Sequence, residues 1–121
     1  DRVQPVVTKD ELLQLIQEAR TVEANDRIFD YVTTLAEATR THPMVELGVS
    51  PRGALALCRM AKAHAFLAGR DFVVPEGVAA VFPDVCAHRL ILSAKARMME
   101  EKAENILSEI LKSVDMPVLK A

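Results

Sequence analysis

The stretch Gly48-Val49-Ser50-Pro51-Arg52-Gly53 contains the sharpest local structural signal in this chain. Ser50 is a residue type preferred at the N-cap of a helix, and Pro51 follows at the first helical position, where its missing N–H costs nothing. The stretch therefore predicts a helix that begins at residue 51. Gly48, just upstream, permits a tight turn before it.

The helix predicted after Ser50 has a buried stripe of mostly small residues. A glycine, Gly69, then stands where a helix commonly stops in a left-handed conformation. Small side chains on the stripe let another helix approach closely, which indicates a central helix. The members of this stripe are Ala54, Leu57, Cys58, Ala61 and Ala65.

Helical periodicity recurs upstream of this element. Thr8 and Glu11 have the spacing of a capping box, which predicts the start of a first helix. A second helix is predicted after Asn25 and Asp26, and it ends before His42-Pro43 because proline disfavours helix at its predecessor. The predicted buried faces are Leu12, Leu15, Ile16 and Ala19 in the first helix and Ile28, Val32, Leu35, Ala36 and Thr39 in the second.

Two further helices are predicted downstream. Pro75 begins one that reaches about His88 and is bent or interrupted near Pro83, and the last ends before Pro117. Their apolar positions are Val78, Val81, Phe82 and Val85, and then Ala103, Ile106, Leu107, Ile110, Leu111 and Val114. Residues 44–47 and 71–74 are predicted to be extended, whereas residues 89–99 fit a short strand and a continued helix equally well.

The composition favours one helical domain. The chain has 121 residues, enough for a single core, and 50% of them are hydrophobic but only 4% aromatic, with no Trp. A core of Leu, Ile, Val, Ala and Met suits packed helices better than a β-sandwich. The sequence therefore predicts an all-α bundle of four to five helices over residues 1–121.

Charge and cysteine usage narrow the functional class. A net charge of −2 gives no overall positive field for binding a nucleic-acid backbone, and no apolar run is long enough to span a membrane. Cys58 and Cys86 lie far apart without a zinc-site spacing, which fits a reducing cytoplasm. His42, His64 and His88 form no metal-ligand pattern, so no metal site is predicted.

The sequence contains one candidate for a functional side chain. Gly48 and Gly53 have the glycine spacing of a phosphate-binding loop, but Ala54-Leu55 replaces the Lys and Ser/Thr that such a loop needs. Arg52 lies in the first turn of a predicted helix, where free N–H groups favour an anion that a guanidinium can bind bidentately. The alternative is an exposed arginine that is simply solvated.

Other polar groups have simpler explanations. Cys58 falls on the apolar stripe, where a small buried thiol is expected rather than a nucleophile. A basic cluster downstream is diluted by neighbouring glutamates, which is typical of a solvated face of mixed charge. The cluster comprises Arg89, Lys95, Arg97 and Lys102, and the diluting acids are Glu100, Glu101 and Glu104.

The segment 48–53 resembles the sensor-2 segment of the MoxR family of AAA+ ATPases. Further segments follow in the order found in that family's C-terminal lid, so the resemblance covers nearly the whole chain. They are Tyr31-Val32, Ala38-Thr39-Arg40-Thr41-His42-Pro43, Ala61-Lys62-Ala63, Gly69-Arg70-Asp71-Phe72-Val73-Val74-Pro75 and His88-Arg89-Leu90. Two positions depart from the usual pattern: Gly53, where alanine is commoner, and Gly77, where an acidic residue often follows Pro-Glu.

The resemblance implies that the chain is one part of a larger ATPase. It implies that Arg52 is the sensor-2 arginine that reaches the γ-phosphate of ATP, with Ser50 and Pro51 positioning it. The preceding core domain of the same polypeptide would bind ATP and Mg²⁺. The resemblance further implies a ring of identical subunits, expected to be a hexamer, chaperone-like maturation of client proteins, and a partner with a von Willebrand factor A domain.

Two other interpretations remain open from the sequence. The chain also fits the lid of a magnesium-chelatase-type AAA+ subunit, which uses a related sensor-2 helix. A different class is a helical module that binds nucleic acid or protein through the helix after Ser50 or through the basic cluster at residues 89–102. A stand-alone enzyme ranks below both, because no paired acid and base or nucleophile and base is visible.

Overall fold

The computed structural model describes residues 10, 11, 13, 14, 17 and 21–118. Residues 10, 11, 13, 14 and 17 are helical, in agreement with a first helix in this region. Thr8, the predicted cap, and the predicted apolar face of that helix at Leu12, Leu15, Ile16 and Ala19 lie outside the described residues.

The remaining elements are mostly helices, as the all-α prediction requires, with one small antiparallel sheet. We label them in chain order. They are helix α1 (Asp26–Thr41), strand β1 (Val45–Leu47), helix α2 (Pro51–Leu67), helix α3 (Pro75–Cys86), a 3-10 turn (Ala87–Arg89), strand β2 (Ile91–Leu92), helix α4 (Ala94–Met98) and helix α5 (Ala103–Ser113).

Helix α1 begins and ends where the sequence predicts. The Asn25 side chain accepts a hydrogen bond from the Arg27 backbone N–H at 2.6 Å, which caps the first turn. The last helical residue is Thr41, and His42 is extended ahead of Pro43. The buried face contains all five predicted residues and also Tyr31.

Helix α2 is bounded by two sequence signals. Ser50 caps its start, and Gly69, just past its end, has a left-handed backbone conformation with φ of 80°. The Gly69 N–H donates to the Phe66 carbonyl at 3.0 Å and the Arg70 N–H to the Ala65 carbonyl at 2.9 Å, which is a Schellman motif. Of the predicted stripe, Leu57, Ala61 and Ala65 are buried, while Ala54 and Cys58 are partly buried.

Helix α3 is not interrupted at Pro83. The helix runs past this residue to Cys86 and continues as the 3-10 turn, so the expected interruption does not occur. Proline removes one backbone hydrogen bond, but α3 packs against α2 more extensively than any other two of the described elements pack. Burial of Val81 and Phe82 just before the proline holds the helix where that bond is lost.

Of the two alternatives left open for residues 89–99, the short strand occurs; the helix does not continue, and a separate short helix follows the strand. Ile91–Leu92 forms β2, which pairs antiparallel with β1 through Val45 opposite Leu92 and Leu47 opposite Ile91. Ser93 then caps the short helix α4, because its Oγ accepts from the Ala96 N–H at 3.1 Å. The pairing partner of β2 is more than forty residues away in the sequence, which local periodicity cannot detect.

The core is mostly aliphatic, as the composition predicts, with Tyr31 and Phe82 also buried, and is formed by the inner faces of α1, α2, α3 and α5. The methionines expected there are not buried: Met44 is partly buried, and the exposed ones are Met60, Met98, Met99 and Met116. The largest fully buried side chains of the core are Phe82, Ile28, Leu35, Leu57, Ile106 and Leu107. Each such side chain stabilises the fold by roughly 1.5–3 kcal/mol relative to an exposed position. In the part of the chain that the structure describes, no helix is long and apolar enough to cross a membrane.

Candidate functional site

The segment that leads into α2 is anchored to the last turns of α1. Val49 is fully buried, and its backbone N–H donates to the Thr39 hydroxyl oxygen at 2.9 Å. The Val49 carbonyl accepts from Arg40 Nε at 2.9 Å. Both backbone polar groups of Val49 are therefore satisfied by side chains of α1, which fixes the peptide just before the helix.

Gly48 allows this anchoring because it lies directly against the backbone of α1. A Cβ atom at position 48 would be 2.7 Å from the backbone nitrogen of Arg40 and 2.8 Å from the carbonyl carbon of Thr39. The glycine is required by this close approach, whereas the sequence indicated a turn.

Ser50 and Pro51 begin α2 as predicted. The Ser50 hydroxyl oxygen accepts from the Gly53 N–H at 3.1 Å, and Pro51 occupies the first turn. This cap satisfies one of the free N–H groups at the helix start. The first turn contains no acidic residue.

Arg52 is exposed on the first turn of α2. Within the part of the chain that the structure describes, its guanidinium has no hydrogen-bond acceptor and no ion pair. A cation near a helix N-terminus is disfavoured by the helix dipole, by roughly 0.3–1 kcal/mol. Among the described residues, the Arg52 side chain therefore makes no contact that stabilises the fold.

Arg89 lies against the same turn, which the sequence did not indicate. A Cβ atom at Gly53 would be 3.1 Å from Arg89 Cδ and 2.8 Å from Val49 Cγ1, so these two side chains crowd the glycine. Arg89 Nε donates to the Val85 carbonyl at 3.2 Å, which folds the side chain back along its own turn. Sequence spacing had grouped Arg89 with Lys95, Arg97 and Lys102; only the fold shows its contact with α2.

A comparison with protein families covers the same region. Residues 37–110, most of the chain, match the family described as the AAA lid domain, and this range includes β1, α2 and α3. The chain belongs to the AAA lid domain family. We refer to it below as the lid.

Curated relatives show that the lid is of the MoxR type. It is 37% identical over 121 residues to the uncharacterized protein YeaC of Bacillus subtilis, covering all of the lid and 38% of that protein. It is 31% identical over 125 residues to the chaperone MoxR1 of Mycobacterium tuberculosis, covering 96% of the lid and 33% of the chaperone. It is 41% identical over 71 residues to the protein MoxR of Methylorubrum extorquens, covering 59% of the lid and 20% of that protein.

A solved structure agrees with these relatives. The crystal structure of a Cytophaga hutchinsonii protein assigned as an ATPase superimposes on the lid with a TM-score of 0.87 and 31% sequence identity, covering 96% of the lid and 38% of that chain. The predicted resemblance to a MoxR-family AAA+ lid is therefore confirmed. The lid spans 38% or less of the length of these relatives.

His42 has a structural position in the lid. Its Nδ1 accepts from the Met44 N–H at 3.0 Å, and its Nε2 lies 3.0 Å from Glu109 Oε1. The imidazole thus connects the end of α1 to Met44, just before β1, and to α5. Among the residues that the structure describes, no three His, Cys, Asp or Glu side chains are grouped as metal ligands.

Burial lowers the reactivity of both cysteine thiols of the lid. Burial raises the pKa of the Cys58 thiol, and nearby Lys62 offsets this rise only in part. Burial likewise raises the pKa of the Cys86 thiol to about 11, against an opposing effect of Arg89. Because the thiolate is the reactive form, both groups are poor nucleophiles at neutral pH, in agreement with the structural interpretation of Cys58.

Gly77, the second departure from the family pattern, also lies in a confined space. A Cβ atom there would be 3.2 Å from Nδ1 of His64, a buried ring nitrogen. The N-cap residue of α3, Val74, provides no side-chain hydrogen bond to the first turn of the helix. The start of α3 therefore depends on Pro75 and on packing.

Proposed function

We propose that the lid supplies Arg52 as the nucleotide-sensing arginine of a MoxR-like ATPase. The observation that carries the proposal is the exposed Arg52 guanidinium, which has no partner among the described residues. It extends from the start of α2, and the residue before the Ser50 cap is held by hydrogen bonds to α1. Membership in the AAA lid domain family supports an ATPase as the parent protein. The core domain of the same polypeptide would bind ATP and Mg²⁺.

Arg52 suits a phosphate ligand. A guanidinium presents several donors in a planar fork, which matches two oxygens of a terminal phosphate, and it stays charged at any physiological pH. The free N–H groups at the start of α2 add a positive dipole end beside it. Ser50 and Pro51 would set its position, because they fix the first turn from which the side chain extends.

The same residue would make the lid sensitive to the state of the nucleotide. Arg52 can bind a terminal phosphate that is present before hydrolysis and lose that contact afterwards. A ligand shifts a conformational equilibrium only through its different affinity for the two states. An arginine carried by the lid supplies that difference, so hydrolysis would change the orientation of the lid relative to the core.

The wider assembly follows from the family as a further proposal. The parent protein would work in the cytoplasm as a ring, expected to be a hexamer, in which the lid packs on a neighbouring subunit. Its activity would be chaperone-like, in keeping with the name of the Mycobacterium tuberculosis relative. A protein with a von Willebrand factor A domain would be its partner.

The test compares ATP turnover of the full-length parent with that of its Arg52→Ala and Arg52→Lys variants. Loss of a charged hydrogen bond of about 1.5–3 kcal/mol should lower kcat/KM for ATP by about tenfold to a hundredfold, with partial recovery in the lysine variant. Arg59→Ala is the matched control, since Arg59 is an exposed arginine two turns further along α2. Unchanged turnover and unchanged nucleotide-dependent assembly in Arg52→Ala would reject the role.

A further inference from the structure

We infer that Thr39 and Arg40 are positioning residues for Arg52. The inference rests on the proposed function, because it assigns to α1 the task of holding the nucleotide-sensing side chain in place. Neither residue extends from the helix that carries Arg52. Both act on it through Val49, three positions upstream.

Thr39 is held in a single hydrogen-bonding arrangement. It is fully buried, and its hydroxyl donates to the Ala36 carbonyl at 2.6 Å while accepting from the Val49 N–H at 2.9 Å. A hydroxyl has only one proton, so the bond to Ala36 determines which side of the oxygen faces Val49. Thr39 thus presents an oriented acceptor to the incoming chain.

Arg40 holds the other polar group of the same residue. Its Nε donates to the Val49 carbonyl at 2.9 Å, although Arg40 is itself exposed. Gly48 adds a third restraint, since its contact with the α1 backbone leaves no space for a Cβ atom. Residues 48 and 49 are therefore fixed to α1 by two hydrogen bonds and one direct backbone contact.

The restraint reaches Arg52 through a stiff connection. Ser50 is fixed by its cap to Gly53, and the ring of Pro51 restricts its own φ. The position of the Arg52 backbone is consequently determined by the last two turns of α1. Displacement of a substrate-contacting group by about 1 Å can reduce a rate about a hundredfold, so loss of this anchor should be visible in turnover.

The chain offers a matched control for the threonine. Thr34 lies on α1 as well, and its hydroxyl donates to the Asp30 carbonyl at 2.8 Å. That bond is local to the helix, and Thr34 is exposed. Thr34→Val therefore repeats the chemical change of Thr39→Val, including its effect on helix propensity, without touching Val49.

The experiment uses the full-length parent and measures kcat, KM for ATP, the ratio of ATP to ADP affinity, and the melting temperature. Thr39→Val should lower kcat/KM by about tenfold and reduce the ATP preference, as expected for a misplaced charged contact. Thr39→Ser, which keeps the hydroxyl, should restore most of both, and Thr34→Val should change neither. Arg40→Met removes the second donor at an exposed position and should have the same direction of effect.

A double-mutant comparison separates positioning from stability. If Thr39 acts through Arg52, Thr39→Val should change turnover little in the Arg52→Ala background. Equal effects in both backgrounds, or normal turnover and ATP preference in folded Thr39→Val and Arg40→Met, would overturn the inference. Failure of the proposed function would give a different result, namely normal turnover in the Arg52→Ala single variant.

Discussion

Gly48 lies so close to α1 that a Cβ atom at this position would be 2.7 Å from the backbone nitrogen of Arg40. The atoms that it would meet belong to a helix backbone and cannot rotate away. The start of α2 therefore depends on the absence of a side chain at residue 48 as much as on the Ser50 cap.

The Gly48→Ala variant should be clearly destabilised. Overpacking in a rigid environment costs about 1–3 kcal/mol, and here the helix or the segment before α2 has to move. Urea unfolding should show a lower midpoint with an unchanged slope. An unchanged midpoint would contradict the close approach of the two backbones at Gly48.

Gly69→Ala should lose stability for a different reason. No atom would obstruct a Cβ at residue 69, but its φ of 80° is left-handed and costs an alanine about 1–2 kcal/mol. Gly69→Asn should lose less, because asparagine tolerates this conformation. Equal losses for the two variants in thermal unfolding would contradict an origin in backbone strain.

Glu100→Gly should stabilise the lid. Glu100 has φ of 57° at the end of α4, where its N–H donates to Arg97 and the Glu101 N–H donates to Ala96, as in a Schellman motif. Glycine adopts this conformation without strain, so the free energy of unfolding should rise by about 0.5–1 kcal/mol. Glu101→Gly serves as the control and should bring no gain.

Arg52→Ala should leave the stability of the fold nearly unchanged. The side chain is exposed and has no partner among the described residues, and such substitutions usually fall within about 0.5 kcal/mol. Removal of a cation from the start of a helix can even raise the free energy of unfolding, by roughly a few tenths of a kcal/mol. A large loss in denaturant unfolding would show that Arg52 has a structural contact instead.

Stability should decrease at alkaline pH because of Cys86. Burial raises the pKa of this thiol from 9.0 to about 11 in the folded protein, so between these values the folded state retains a proton that the unfolded state has lost. The free energy of unfolding therefore falls as the pH rises through this window. Denaturant unfolding at a series of pH values should show a shallower decrease for Cys86→Ala.

In the Cys86→Ala variant, the free energy of unfolding should still decrease somewhat as the pH rises. Burial also raises the pKa of Cys58 and of Tyr31, and the negative charge of Glu76 adds to the effect on Tyr31. An identical slope with and without Cys86 would contradict the assigned origin.

Local sequence signals predicted the helices well because their evidence is local. Ser50, Pro51 and Gly69 act within one helical turn, and each has the predicted role; Asn25, which was predicted only to precede the second helix, caps it. The interruption expected as one alternative at Pro83 does not occur, because the cost of the proline is offset by packing against α2, which is a tertiary contact.

Only part of the candidate site could be predicted from the sequence. Arg52 stands out by its place after Ser50-Pro51, but its anchoring does not. Thr39 was assigned only to a buried stripe, and its hydrogen bond to Val49 spans ten positions. The contact between Arg89 and Gly53 spans two elements and a loop, so it required the fold.

The pairing of β1 with β2 ties the chain entering α2 to the chain leaving the 3-10 turn after α3. Residues 48–90 thus form a closed loop whose two ends meet at one place. Amide protons within this loop should exchange with solvent together, as one cooperative unit, and more slowly than those of the short helix α4 beyond it. A pulling force applied at either end of the segment that contains α2 and α3 would therefore be borne by β1 and β2 together.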